Sequence, residues 1–280
     1  MRIMSILWTA LLGIGLAHAT DVTVTVDNAA PRRDETGAIV DAHDGALEFF
    51  AGRFYLYGTK YGETDGLHKT NSYVVYSSAD LKTWRFENTL LPDAPPRIYF
   101  RPYVKFNPGT GRYVLWYNAD DQFGVAVSDR PQGPFTIVNP NVAVKFSSHG
   151  VGDFGLFVDD DGRGYIAYTT LDLKDIKQQP STKPPHHRIS VERLTRDFLA
   201  STFHNSGFIA GNVESPTLFK RQGTYYLLFD NTCAFCAAGS GARVYRALHP
   251  LGRYRYQDNI NIAPPARADG RPWTTPGTGR

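Results

Sequence analysis

The 280-residue sequence predicts an all-β fold of the β-propeller type, on three observations. The first is a unit, DAHDGALEFFAGRFYLYG at Asp41–Gly58, in which a short apolar run, a turn glycine and an aromatic-rich run follow one another. It returns as RPYVKFNPGTGRYVLWY from Arg101, DFGLFVDDDGRGYIAY from Asp153 and ESPTLFKRQGTYYLLF from Glu214. Each copy is a β-hairpin signal, with strands of β-branched and aromatic residues entering and leaving a Gly-bearing turn. The second is the period: the turn glycines Gly52, Gly111, Gly162 and Gly223 stand roughly 50–60 residues apart, a spacing that belongs to propeller blades. The third is composition. Aromatic residues make up 13% of the chain, alongside 26 Gly and 18 Pro, and helical periodicity is scarce, which suits many short strands joined by turns.

The chain opens on Arg2, the apolar run Ile3 to Leu16 and the small-residue pattern Ala17-His18-Ala19. This reads as a secretory signal peptide over residues 1–19, cleaved before Thr20; the run is too short to span a membrane. The mature protein is expected to be soluble and secreted or periplasmic. Residues 20–262 suffice for one large all-β domain. Val22 to Val26 alternates like a strand and would either close the ring by pairing into the last blade or lie as an ordinary edge strand. Each inner hairpin is then completed by a second strand pair: SYVVYSSADLKTWRFE from Ser72, FGVAVSDRPQGPFTIV from Phe123, ISVERLTRDFLA from Ile189 and ARVYRALHPLGRYRY from Ala242. Trp84 and Trp116 are expected in the core. The final stretch, PPARADGRPWTTPGTGR from Pro264, lacks apolar alternation, so residues 263–280 read as coil. Four blades are evident and a fifth is incomplete.

A formal charge of +3 is too small and dispersed to argue for nucleic acid or an anionic membrane as partner. A neutral ligand and a monomer are expected. Cys233 and Cys236 suit a small-loop disulfide in an exported chain, with two free thiols as the alternative; the context supports neither a redox motif nor zinc. His186 and His187, in the Pro-rich KQQPSTKPPHHR, read as part of a solvated loop rather than a metal site. The DDDG run at Asp159 to Gly162 lacks the spacing of a calcium loop and reads as a tight turn.

Counting back about eight or nine residues from the turn glycines lands on Asp44, Tyr103, Asp153 and Glu214. A propeller sets the first strand of every blade innermost, so equivalent positions become neighbours around the axis. Singly, each carboxylate has a plainer reading: Asp44 before Gly45 and Asp153 after Gly152 could shape turns, and Glu214 could be a solvated strand end. Together, in one register, they favour an acidic cluster.

The HDG at His43 to Gly45, the DDDG turn with YIAY after it, the VESPTLFKRQGTYYLLF run and the SDRPQGPF segment together resemble glycoside hydrolase family 43, from about Asp41 to Tyr256. The resemblance implies a five-bladed propeller and, on plant cell-wall polysaccharides, arabinofuranosidase, xylosidase, arabinanase or exo-galactanase activity. It implies Asp44 as general base, Asp153 as the residue that tunes pKa and orientation, and Glu214 as general acid. The Arg101-Pro102 form of the second blade looks like the exo-galactanase branch. No cofactor is required; the resemblance alone allows a structural calcium.

An inverting glycosidase needs a protonated acid and an ionised base about 6.5–9.5 Å apart, and the acid must be raised above the usual Glu value of about 4.3 by burial or a neighbouring negative charge. Asp153 is expected to supply that charge, and Asp44 to stay ionised at an exposed rim. His43, Phe100, Arg101, Phe154 and Asn231 lie beside the repeated site and are the candidates for sugar contact. For the two phenylalanines, packing between blades is an equal alternative. Two other functions compete: a catalytically inactive carbohydrate-binding propeller, and a protein-interaction propeller, which would not need aligned carboxylates.

Overall fold

The computed structural model describes residues 23–26, 29–64, 66–147, 150–171, 187–230 and 241–260. The signal-peptide and coil-tail expectations, His186, Asn231, Cys233 and Cys236 lie outside these residues. Among the described residues there is no helix, and sixteen strands form four four-stranded antiparallel sheets in sequence order. Blade 1 comprises β1 (His43–Phe50), β2 (Arg53–Lys60), β3 (Ser72–Ser78) and β4 (Arg85–Thr89). Blade 2 comprises β5 (Tyr99–Asn107), β6 (Arg112–Ala119), β7 (Gln122–Ser128) and β8 (Thr136–Val142). Blade 3 comprises β9 (Val151–Val158), β10 (Gly164–Thr170), β11 (Arg188–Leu194) and β12 (Ser201–Gly211), and blade 4 comprises β13 (Glu214–Arg221), β14 (Thr224–Asp230), β15 (Ala242–Ala247) and β16 (Arg255–Ile260).

The turn glycines earn their place by backbone conformation. Gly52, Gly111, Gly162 and Gly223 all adopt φ between 68 and 81°, and nothing lies within 4 Å of where their Cβ would stand. Left-handed backbone, not crowding, therefore selects glycine there.

The inner strands β1, β5, β9 and β13 pack side by side in that order, and an apolar cluster fills each interface. Tyr57, Tyr73, Tyr99 and Tyr117 lie between blades 1 and 2. Trp116, Phe123, Phe154 and Tyr168 lie between blades 2 and 3, and Tyr165, Leu218, Leu227 and Phe229 between blades 3 and 4. Polar ties cross the same seams: Lys105 Nζ lies 2.6 Å from Glu48 Oε1, Trp116 Nε1 donates to the Phe198 carbonyl, and Lys220 pairs with Asp159. Trp84 and Trp116 are buried as expected.

No comparable seam joins β13 to β1 among the described residues. The far face of blade 1 exposes Leu47 and Phe49, and that of blade 4 exposes Phe219. Residues 23–26 form no strand, which corrects the expectation of a strand there: Val/Thr alternation gives a strand its faces, but its backbone still needs an edge to pair with. Instead the following segment bridges Asp34 to Trp84, and Val40 and Ala42 cover part of the far face of blade 1.

Every inner strand carries a β-bulge near its start. In blade 1 His43 pairs with Thr59 and Ala46 with Tyr57, so Asp44 and Gly45 oppose one residue. The same two-against-one step places Arg101 and Pro102 in blade 2, Gly152 and Asp153 in blade 3, and Ser215 and Pro216 in blade 4. Gly45 is required for space: a Cβ there would stand 2.0 Å from the Tyr57 carbonyl oxygen. Overpacking typically costs about 1–3 kcal/mol, and a backbone obstacle puts Gly45→Ala at the upper end. Calorimetry should find its melting temperature lowered by roughly 6–12 °C, about 2–4 °C per kcal/mol; an unchanged transition would mean the bulge can open.

Candidate active site

The bulges decide what faces the propeller axis. A bulge bends its strand and re-aims a side chain, and the first bulge residue is left-handed in three blades: φ is 47° at Asp44, 55° at Arg101 and 58° at Ser215. Such conformations cost non-glycine residues of order 1–3 kcal/mol and tend to cluster at functional sites. The ladders also correct the register counted from the turns. Asp44 is equivalent to Arg101, Gly152 and Ser215 rather than to Tyr103, Asp153 and Glu214. The hairpin turns differ in length, so counting back from them slips by one or two residues. Asp44 and Asp153 still meet through Arg101, because Asp153 is the second residue of its bulge, and Glu214 immediately precedes the bulge that carries Ser215, the partner of Asp153.

Arg101 ties the cluster together. Its backbone N–H donates to Asp44 Oδ2 at 3.3 Å, its Nε is ion-paired with Asp153 Oδ1 at 2.7 Å, and its Nη2 donates to Ser215 Oγ at 2.7 Å. The Ser215 hydroxyl donates in turn to Asp153 Oδ2 at 2.5 Å. Both Asp153 oxygens are thus engaged, and its charge is compensated by the guanidinium rather than presented bare to Glu214. On the other side, His187 Nδ1 lies 3.4 Å from Glu214 Oε2, with side chains 15% and 24% exposed.

Asp44 does not stand at an exposed rim. Burial pushes its carboxyl above the ordinary Asp value, while the neighbouring Thr59 side chain and Arg101 pull it back. Its Oδ1 is buried and makes no hydrogen bond of ordinary geometry among the described residues. Tyr61 closes over this carboxylate: its phenol is pushed up to about 12, first by burial and then by the Asp44 charge. The exposed His43 ring stacks on Tyr61 at 4.1 Å and pairs with Asp41 at 3.2 Å.

The remaining candidates separate. Phe100 is half-buried beside Arg101, and its carbonyl accepts from the Tyr73 hydroxyl. Phe154 is fully buried against Phe123 and Tyr103, which corrects its assignment to sugar contact. Strand alternation turns it away from Asp153 into the seam between blades. His187 corrects the solvated-loop reading, since it packs on Glu214. Sequence reasoning missed Tyr61, His187 and Ser215. The Gly or Pro in DG, RP, GD and SP was the available sign of the bulges, but nothing in the sequence marks Tyr61 or His187 as axial. Among the described residues no three His, Cys, Asp or Glu side chains gather as a metal site. Both oxygens of Asp153 are taken by Arg101 and Ser215.

The chain is 30% identical over 146 residues to a xylosidase/arabinosidase 43A of Humicola insolens, covering 46% of this chain and 43% of that protein. It is 24% identical over 210 residues to a β-D-galactofuranosidase of Aspergillus niger, covering 66% and 55%. The chain thus spans about half the length of the curated relatives it matches. Its fold is similar to that of an exo-β-1,3-galactanase from Clostridium thermocellum, with a TM-score of 0.69 at 22% identity, covering 84% of this chain and 51% of that one. It is similar also to an exo-β-1,3-galactanase from Phanerochaete chrysosporium, with a TM-score of 0.67 at 23% identity, covering 82% and 53%. The family model for glycosyl hydrolases family 43 matches residues 40–279, which include all four blades, and on that match the chain belongs to glycosyl hydrolases family 43.

Proposed function

We propose that this chain is an exported, monomeric, inverting glycoside hydrolase that needs no cofactor. It would release arabinofuranosyl, xylosyl or galactosyl units from plant cell-wall polysaccharides or their side chains. The relatives named as xylosidase/arabinosidase, galactofuranosidase and exo-β-1,3-galactanase support the choice of sugars. The observation that carries the reading is the network through Arg101, which holds Asp44, Asp153 and Ser215 together beside Glu214.

In this reading Glu214 protonates the glycosidic oxygen as the C1–O bond breaks. Asp44 takes a proton from the water that attacks the opposite face of C1, so the sugar leaves with its anomeric configuration inverted. Burial suits Asp44 to this task, because a base whose pKa is raised toward the working pH accepts a proton more readily. Asp153, fixed by Arg101 and Ser215, positions the strands that carry the other two, and His187 braces the Glu214 carboxyl. Tyr61 and His43 offer a flat edge to the sugar.

Proton NMR of the first-formed anomer tests inversion directly; release of the retained anomer would overturn the mechanism. Asp44→Asn tests the base, with an expected loss of about 10²–10⁴-fold in kcat. Its effect on stability has the opposite sign. The folded state raises the Asp44 pKa, so the stability linked to its protonation is present below its unfolded value of about 3.9 and is lost as pH rises through the raised value. At neutral pH Asp44→Asn should therefore melt higher than the parent, and that advantage should vanish below about pH 3.9. A lower melting temperature at neutral pH would contradict a desolvated carboxylate.

A further inference from the structure

At the turn end of blade 4 a cavity of about 540 Å³ is lined by Arg246, His249, Arg253 and Arg255, together with Thr224 and residues of the turn between β15 and β16. Glu214 begins β13 and Thr224 follows the hairpin turn at its other end. The cavity is therefore a strand length, roughly 25 Å, from the carboxylate cluster, and nothing in the proposed hydrolysis uses it.

Three features mark it as a site for an anion. First, no carboxylate lines it, and none of the three arginines has an ion-pair partner among the described residues. Second, Arg246 and Arg255 are direct cross-strand partners. Like charges placed opposite one another disfavour an antiparallel pair, and although both side chains are exposed, a counter-charge between them would relieve the repulsion. Third, His249 Nδ1 accepts the Leu251 backbone N–H at 3.1 Å, so the neutral ring carries its proton on Nε2, as a donor rather than an acceptor.

The layout also selects the anion. Arg246 and Arg255 stand about 5 Å apart across the strands, and Arg253 lies about 7 Å further along the chain. Positions so spread match charges strung along a polymer better than one small ion. A planar guanidinium fork binds carboxylate through two parallel hydrogen bonds, and the volume lies within the range of about 300–1,000 Å³ common for ligand sites. We propose that this cavity is a second carbohydrate site, which holds a polysaccharide bearing carboxylate groups apart from the site of hydrolysis.

The test is affinity electrophoresis of the full chain through gels containing polygalacturonate at low salt, with gels containing neutral galactan as the reference. The parent should be retarded by polygalacturonate only. R246E/R255E should weaken that binding by about tenfold or more, a change of about 1.4 kcal/mol, with an unchanged melting temperature. Absence of retardation of the parent, or equal retardation of the variant, would overturn the proposal. Equal competition by inorganic phosphate or single-stranded DNA at matched charge would also overturn it, by assigning the site to anions in general.

Discussion

Glu214→Gln is expected to lower kcat by about 10²–10⁴-fold, the usual contribution of a positioned acid or base. The replacement is isosteric and keeps an oxygen and a nitrogen where the carboxyl stood, so His187, 3.4 Å away, still has a polar neighbour and the strand is undisturbed. What is lost is the proton for the departing oxygen. The loss should therefore be largest for oligosaccharides and alkyl glycosides, whose leaving groups need protonation, and smallest for aryl glycosides with acidic phenols. A series of aryl arabinofuranosides, xylosides and galactosides of graded leaving-group acidity measures this. Parental rates across the series would sink the assignment of Glu214. His187→Ala should cost less, because it loosens the carboxyl without removing its proton.

The largest effect on stability is expected at Arg101. Its side chain is 14% exposed and that of its partner Asp153 20% exposed, and Asp44 and Ser215 depend on the same residue. Removing one partner of a buried ion pair typically costs about 3–5 kcal/mol, because the other charge stays buried without compensation. Arg101→Met should thus lower the unfolding free energy by that amount and shift the denaturant midpoint down in proportion, and activity should fall with it. The double variant R101M/D153N should recover a good part of the stability, since neutralising both partners removes the stranded charge, yet it should remain inactive. Equilibrium unfolding of the three proteins decides the point. If R101M is as stable as the parent, Arg101 is a ligand-contact residue rather than the tie between blades.

How far the sequence reaches is best seen residue by residue. The four hairpins, their turn glycines and the order of strands within each blade follow from local chemistry, and all four turn glycines do take the left-handed backbone. Short-range signals of this kind survive folding because turn geometry and strand alternation are set within a few residues. The same locality explains the failures. Counting from the turns made Tyr103 the fourth axial residue, when the bulge brings Arg101 to that place; a one-residue insertion in a ladder changes which side chains face the axis.

Burial was beyond local reading as well. Phe154 and Asp153 are neighbours in sequence, but only the meeting of blades 2 and 3 makes one core and the other axial. Glu192, a charged residue in β11, is fully buried, with its oxygens accepting from Ser201, Asn205, Tyr168 and the Lys145 backbone. His187, 27 positions before Glu214 in the numbering, meets it only because β11 and β13 are brought together. The residues alone thus determined the repeat and the strand class, which rest on period and composition, and singled out three carboxylates by a count that the bulges shift by one or two residues. Only the tertiary structure decided which neighbours those carboxylates keep, because an arginine from one blade and a serine from another interact at 2.7 Å only after the blades have packed.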